Sequence, residues 1–213
     1  MSHDQTPHRR EYAHAELRRA ALDEDPLVQF KLWMDAALEA ELTDATAMAL
    51  ATADAQGRPS NRIVLLKTFG AQGFAWYTDY RSHKGRDLAA NPQAALLFYW
   101  REFERQVRIE GSVVQVSRGE SEEYFNSRPV ASRMAAAVSH QSMTVANRNT
   151  LEQAVTRVQE QFPDGNVPAP EAWGGYRLLP ECFEFWQGRE GRLHDRFRYT
   201  RDGDAWRIER LQP

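Results

Sequence analysis

Several clusters in this chain combine cationic side chains with hydroxyls and aromatic rings, a set suited to a planar, phosphorylated ligand. In Arg192-Leu193-His194-Asp195-Arg196, an extended backbone would put Arg192, His194 and Arg196 on one face. Three potential cations on one face repel each other unless an anion or carboxylate sits among them. The aromatic run Phe183, Phe185 and Trp186 directly precedes them, offering a wall for a flat ring. The plainer reading is an exposed edge strand blunted by charge. Tyr124, Arg128 and Ser132 are spaced four apart. Pro129 cannot continue a helix, so one helix should end at Arg128 and another begin with Pro129. Ser132 and the new helix N-terminus would then converge with Arg128 and Tyr124, giving the guanidinium fork, hydroxyls and free amides that a phosphate monoester needs, although on its own the segment reads more simply as a helix–helix corner with surface polar residues.

Arg62-Ile63-Val64-Leu65-Leu66-Lys67 is an apolar run with a cation at each end. It reads either as a core strand whose ends reach water or as a cofactor and substrate contact. Five residues apart, Arg62 and Lys67 face opposite sides of a regular strand, so a shared site needs a bulge or a strand end. Tyr77-Thr78 and Ser82-His83-Lys84 stand where a strand should meet a short helix, and helix starts gather anions. A capped surface helix is the equal alternative. Gln106, Gln141 and Ser142 could read the polar edge of a heterocycle, although as isolated residues they read more simply as surface groups.

The elements that would hold these groups follow from the hydrophobic pattern. Residues 1–24 are polar, without an apolar period, and are expected to form a mobile arm ahead of a single domain at 25–213. Asp25-Pro26 caps an amphipathic helix ending near Leu42. Strands are expected at Ala47–Ala53, Arg62–Phe69, Phe74–Asp79, Ala94–Trp100 and Gln106–Val116, with a short helix at Ser82–Ala90. Helices should follow near Gly119–Ser127, Pro129–Ser139 and Val145–Phe162. Strands at Tyr176–Leu179, Cys182–Gln187, Asp195–Thr200 and Trp206–Leu211 close the chain. The expected class is mainly β, an antiparallel sheet or barrel with helices packed outside.

Bulk properties narrow the function. The 213 residues carry a formal net charge of −3, which argues against a nucleic-acid partner. The single cysteine, Cys182, allows no intrachain disulfide and reads as a small core residue. No stretch approaches a membrane span, no signal peptide is visible, and a cytoplasmic location is the default. Neither a Rossmann nor a P-loop glycine motif occurs, no metal site is expected, and no G-x-S-x-G elbow appears.

Taken in order, these segments resemble the pyridoxine/pyridoxamine 5′-phosphate oxidase family. The resemblance runs from about Arg9 to Pro213. It rests on Arg10-Glu11-Tyr12, Asp25-Pro26, Arg62 to Lys67, Glu104-Arg105-Gln106-Val107 and Tyr124-Phe125. Ser127-Arg128-Pro129, Gln141-Ser142, Trp173-Gly174-Gly175, Glu184-Phe185-Trp186-Gln187-Gly188 and Arg192 to Arg196 complete it. The resemblance implies a Greek-key split β-barrel that binds FMN as a homodimer, and oxidation of pyridoxamine or pyridoxine 5′-phosphate to pyridoxal 5′-phosphate by O2. By position, FMN contacts would be Arg62, Ile63, Val64, Leu65, Leu66, Lys67, Tyr77, Thr78, His83 and Lys84, with Gln106, Gln141, Ser142, Trp186 and Arg196. Substrate contacts would be Lys67, Tyr124, Arg128 and Ser132 at the phosphate and Arg192 and His194, the catalytic pair, at the ring. Arg9, Arg10 and Tyr12 resemble a segment that closes over substrate. The chain departs from the family pattern at His83, Ala135-Ala136-Ala137 and His140. The rivals are another split-barrel flavoprotein and a non-catalytic pyridoxal phosphate binder.

Overall fold

The computed structural model describes Tyr12 and residues 15–213. In chain order the elements are α1 (Pro26–Glu39), β1 (Ala47–Ala53), β2 (Pro59–Leu65), β3 (Thr68–Gly70), β4 (Gly73–Asp79), α2 (His83–Ala90), β5 (Gln93–Trp100) and β6 (Arg105–Gln115). Then come α3 (Arg118–Ser127), α4 (Val130–Val138), α5 (Arg148–Gln161), β7 (Trp173–Gln187), β8 (Asp195–Asp202) and β9 (Ala205–Arg210). The strands pair in the order β2-β1-β5-β6-β7-β4-β3, with β8 on β7 and β9 on β8. Every register quoted below is antiparallel. No described helix is long and apolar enough to cross a membrane.

The chain divides into two compact units. The first comprises Met1–Ala49, Ala95–Glu110 and Pro180–Pro213. Its centre is the apolar face of α1, where Phe30, Trp33, Met34 and Ala37 recur at helical spacing and are all buried. Phe30 meets Phe98 at 5.0 Å and Trp33 meets Phe185 at 5.3 Å, both edge-on. Asp25 starts the helix by accepting the Leu27 N–H, and Pro26 fills the first turn. β8 pairs with the C-terminal part of β7 in the register Trp186↔Arg196. The residues just before α1 are not a free arm. Leu17 and Leu22 are buried, the Leu17 N–H donates to Asp195, and the Tyr199 hydroxyl donates to the Asp23 carbonyl at 2.7 Å. Two leucines in an otherwise polar stretch carry too little periodicity to show this docking.

The second unit comprises Leu50–Ala94 and Gly111–Leu179. β4 is buried along nearly its whole length and pairs with β7 in the register Tyr77↔Gly175 and Thr78↔Gly174. Both glycines are required by packing. A Cβ on Gly174 would lie 2.1 Å from the Tyr80 hydroxyl oxygen, and one on Gly175 would lie 2.8 Å from the Tyr77 ring. α2 begins where Ser82 accepts the Gly85 N–H.

Three further expectations differ from the structure. The run Arg62–Phe69 is two strands, β2 and β3, broken at Leu66 and Lys67. It is not a core strand, since Ile63 is 67% and Leu65 43% exposed. Apolar type alone could not distinguish a core from an uncovered strand face. Tyr176–Leu179 and Cys182–Gln187 belong to one strand, β7, which passes through Pro180. The stretch from Arg192 to Arg196 does not present three cations on one strand face. Arg192 ends a short turn at Glu190–Arg192 with φ of 63°, and β8 starts only at Asp195.

Gly85 gives a direct test of how α2 is seated. Intrinsic helix propensity favours alanine over glycine by about 1 kcal/mol. Here a Cβ would sit 2.0 Å from the Tyr80 carbonyl oxygen. Gly85→Ala is therefore expected to destabilise the protein by roughly 1–3 kcal/mol, the usual cost of overpacking. Chemical denaturation reads this, and a variant as stable as the parent would contradict the packing described.

Candidate active site

The break after β2 brings Arg62 and Lys67 to the same cavity. This space in the second unit encloses about 1000 Å³, and both residues line it with Ile63, Val64 and Leu65. Leu66 points into the protein, 5% exposed, and is not on the wall. The strand end thus resolves the geometric conflict of two cations five residues apart. Lys67 is exposed, and its side chain forms no hydrogen bond or ion pair among the described residues.

α2 supplies the second cation. Lys84 is 7% exposed, and its ammonium donates to the Thr78 hydroxyl at 3.0 Å, to Ser82 at 3.4 Å and to the Gln141 side-chain oxygen. All three partners are neutral. Burial, and then the nearby Arg62 charge, pull the Lys84 pKa down to about 8, against an opposing pull from Asp79. Two cations that weaken one another in a cavity form a site prepared for an anion. Arg62 donates to the carbonyls of Leu50 and Ser60 and to the hydroxyls of Thr52 and Ser60.

The loop after α4 closes this end. Asp79 accepts the Arg81 side chain at 2.7 Å, and Arg81 donates onward to the Ser139 carbonyl. The Asp79 carboxyl is held below the usual range by Arg81 and the Gln141 N–H, even though burial opposes this. The latch places Gln141 over Lys84 and brings the Ser142 hydroxyl to accept the His83 N–H at 3.1 Å. Ser142 pays for this position with a φ of 71°.

A second cationic group stands on aromatic rings. Tyr77 and Tyr124 stack at 4.0 Å, and each is nearly parallel to Trp173 at 5.6 and 6.2 Å. The Arg128 guanidinium lies 4.9 Å over the Trp173 ring and 5.9 Å from Phe125. Its Nη1 is buried with no hydrogen-bond partner, and no carboxylate pairs with it among the described residues. An unpartnered buried guanidinium nitrogen is costly, which points to an anion that completes it. Glu120 is kept from that role by Arg177, at 2.5 Å, and by the Tyr77 hydroxyl. Burial, followed by Glu120, pushes the Tyr77 phenol up to about 12. α3 ends at Ser127 and α4 starts after Pro129, as the proline position requires, so half-buried Ser132 also faces the cavity.

The remaining expected residues lie in the first unit. Tyr12 packs edge-on against Trp186 at 5.6 Å and His194 at 5.4 Å. His194 Nδ1 accepts the Arg189 N–H at 3.1 Å, which leaves Nε2 to carry the proton of a neutral ring. Burial first, then the charges of Arg192 and Arg196, lower its pKa and favour that neutral form. Arg192 is exposed and without an ion pair among the described residues. Arg196 donates to Glu184 at 2.9 Å and to the Gln212 carbonyl at 2.7 Å. Gln106 is half-buried on β6. Cys182 is partly buried, and burial pushes its thiol pKa up. The expected contacts of Arg9 and Arg10 lie outside the described residues.

Trp173, Asp79 and Arg81 were not among the site residues expected from the sequence. A tryptophan beside two glycines was the available clue to the first. The Asp79–Arg81 latch depends on a turn between β4 and α2 that residue types do not encode.

Residues 34–162 match the family model described as pyridoxamine 5′-phosphate oxidase, and residues 173–213 match that of the pyridoxine 5′-phosphate oxidase C-terminal dimerisation region. The chain is 54% identical over 210 residues to pyridoxine/pyridoxamine 5′-phosphate oxidase 1 of Hydrogenovibrio crunogenus, covering 96% of each. It is 52% identical over 206 residues to the pyridoxine/pyridoxamine 5′-phosphate oxidase of Ralstonia pickettii, covering 96% of this chain and 97% of the relative. Among solved structures, PhzG from Burkholderia lata 383, in complex with tetrahydrophenazine-1-carboxylic acid, matches with a TM-score of 0.86 at 33% identity, over 91% of this chain and 95% of that one. A pyridoxamine 5′-phosphate oxidase-related, FMN-binding protein from Nostoc punctiforme matches with a TM-score of 0.70 at 20% identity, over 86% and 97%. The expected fold class, a mainly antiparallel split barrel with packed helices, is the one these structures share.

The depressed Lys84 pKa makes a pH prediction. Below about 8 the ammonium is charged in the ligand-free protein, and above it the proton is lost. An anion restores that proton, so anion binding takes one up as pH rises past this value. A phosphate monoester is already a dianion there, its second pKa being about 6. Affinity for a phosphate monoester, with FMN as the probe, should therefore fall up to about tenfold per pH unit above pH 8. Quenching of flavin fluorescence between pH 7 and 9.5 measures this. Lys84→Met should bind weakly and with no such slope, whereas a flat wild-type profile would refute the assignment.

Proposed function

The chain belongs to the pyridoxamine 5′-phosphate oxidase family, and from that premise we propose that it oxidises pyridoxamine 5′-phosphate and pyridoxine 5′-phosphate to pyridoxal 5′-phosphate. Oxygen is the acceptor and hydrogen peroxide a product. The amine substrate also consumes one water and releases ammonia. We place the working form as a cytoplasmic homodimer, supported by the match of residues 173–213 to a dimerisation region.

The observation that carries the reading is the pair of cationic groups on one cavity, neither of which donates a hydrogen bond to a carboxylate among the described residues. Arg62, Lys84, Thr78, Gln141 and Ser142 form one group and fit the phosphate of FMN. Lys84, a buried ammonium held only by neutral acceptors, is the feature by which this donor set suits a dianion. Bound FMN supplies the hydride acceptor and the reactivity toward oxygen. Lys67, Tyr124, Arg128 and Ser132 form the other group and hold the substrate phosphate. That clamp lies away from the reacting carbon, so its binding energy serves to orient the substrate. Arg128 retains every side-chain donor for this task because aromatic faces, not a carboxylate, hold it.

Arg192 is the group assigned to position the pyridine ring and help the substrate lose its proton. His194, neutral and with its Nε2 proton available, orients the ring. Tyr12, resting on Trp186 and His194, belongs to the segment that covers the substrate.

Anaerobic addition of pyridoxamine 5′-phosphate to the flavin-loaded protein should bleach the visible spectrum, and air should restore it. A yellow protein that does not bleach would favour a different oxidation, such as one on a planar carboxylate. A protein that binds pyridoxal phosphate but never FMN would be a carrier. Arg192→Leu should retain FMN and lose on the order of 10²-fold or more in kcat/KM, the range expected for a proton-handling group. Unchanged kcat/KM in that variant would remove Arg192 from the chemistry.

A further inference from the structure

Asp87 sits on α2 one turn after His83 and is 3% exposed. Its Oδ2 accepts the Thr52 hydroxyl at 2.6 Å and the Ser60 hydroxyl at 2.9 Å. Those hydroxyls in turn accept from Arg62. Nη1 donates to Thr52 at 2.8 Å and Nη2 donates to Ser60 at 2.6 Å. The direct distance from Arg62 to Asp87 is 3.9 Å, so the two hydroxyls carry most of the coupling. The other carboxylate oxygen lies 3.5 Å from His83 Nε2. One buried carboxylate therefore joins β1, β2 and α2 behind two cavity-lining side chains.

The order of donors is fixed by chemistry. A hydroxyl has one proton to give and two lone pairs to offer. A carboxylate can only accept, so both protons must turn toward Asp87 and both sets of lone pairs toward Arg62. That locks one edge of the guanidinium. Arg62 Nε forms no hydrogen bond among the described residues, and the Arg62 charge is felt at Lys84. Both hydroxyls donate to the one oxygen Oδ2, so an asparagine carbonyl in that place would still receive them, whereas a side chain that cannot accept would leave both hydroxyl directions unset.

We propose that Asp87 is a positioning residue for the cofactor phosphate, aiming Arg62 through the Thr52 and Ser60 hydroxyls. This rests on the reading of the cavity as an FMN site. The proposal has an unusual sign. By Coulomb's law alone, a negative charge behind a phosphate site weakens phosphate binding, and its removal should tighten it. Positioning predicts the reverse.

The experiment measures dissociation constants of FMN and of riboflavin, which lacks the phosphate, for the full-length flavin-free protein and for Asp87→Ala, which removes the acceptor of both hydroxyls, by flavin fluorescence quenching. Loss of an aligned, charge-assisted contact should weaken FMN binding about tenfold and leave riboflavin binding unchanged. FMN binding that is unchanged or tighter overturns the proposal, and so does an equal loss for FMN and riboflavin, which would mark a merely structural residue. If Asp87→Ala fails to fold, Ser60→Ala carries the test, since it cuts the relay to Nη2 without changing charge. It should weaken FMN binding about threefold, again sparing riboflavin. Wild-type protein that binds no FMN would instead refute the cofactor reading beneath it.

Discussion

Cations held in a cavity without a carboxylate hydrogen-bonded to them are the constraint on which the site depends. A buried ammonium or guanidinium is expensive unless something neutralises or solvates it. Lys84 meets that cost with hydroxyl and amide oxygens, and Arg128 meets it with the faces of Trp173 and Phe125. Both arrangements preserve positive charge that a direct ion pair would cancel. The acidic residues nearby are committed elsewhere, Glu120 to Arg177 and Asp79 to Arg81.

Much of the second unit serves this arrangement. The β4–β7 register sets Tyr77 and Thr78 beside two glycines, and only glycine admits the Tyr77 ring and the Tyr80 hydroxyl at those positions. That allows the Tyr77, Tyr124 and Trp173 rings to stack, which in turn seats Arg128. Immediately after β4, a tight turn starts α2, and its first residues deliver His83 and Lys84. The Asp79–Arg81 latch then draws in Gln141 and Ser142, more than fifty residues later in the chain.

The site was more legible in the sequence than the backbone that builds it. Pro129 fixed the helix boundary because a proline ring cannot continue a helical ladder, and Tyr124, Arg128 and Ser132 converge as that boundary requires. Arg62 and Lys67 were identifiable by type, but their convergence depends on a strand ending at Leu65, for which residue pattern gave no cue. Pro180 within β7 and the left-handed Arg192 misled in the same way, since propensity is local and both are decided by tertiary context. Asp87 was invisible for another reason. A carboxylate on a polar helix reads as solvated, and only the partners on β1 and β2 reveal that it is buried.

The central claim is that the cavity has two separate phosphate-holding groups. Its most direct test is equilibrium binding of pyridoxal 5′-phosphate to the full-length protein, first free of flavin and then saturated with FMN, while the bound FMN is followed by its fluorescence. The account predicts that pyridoxal 5′-phosphate binds the saturated protein and releases no FMN. Stoichiometric displacement of FMN by pyridoxal 5′-phosphate would show a single phosphate site and contradict it.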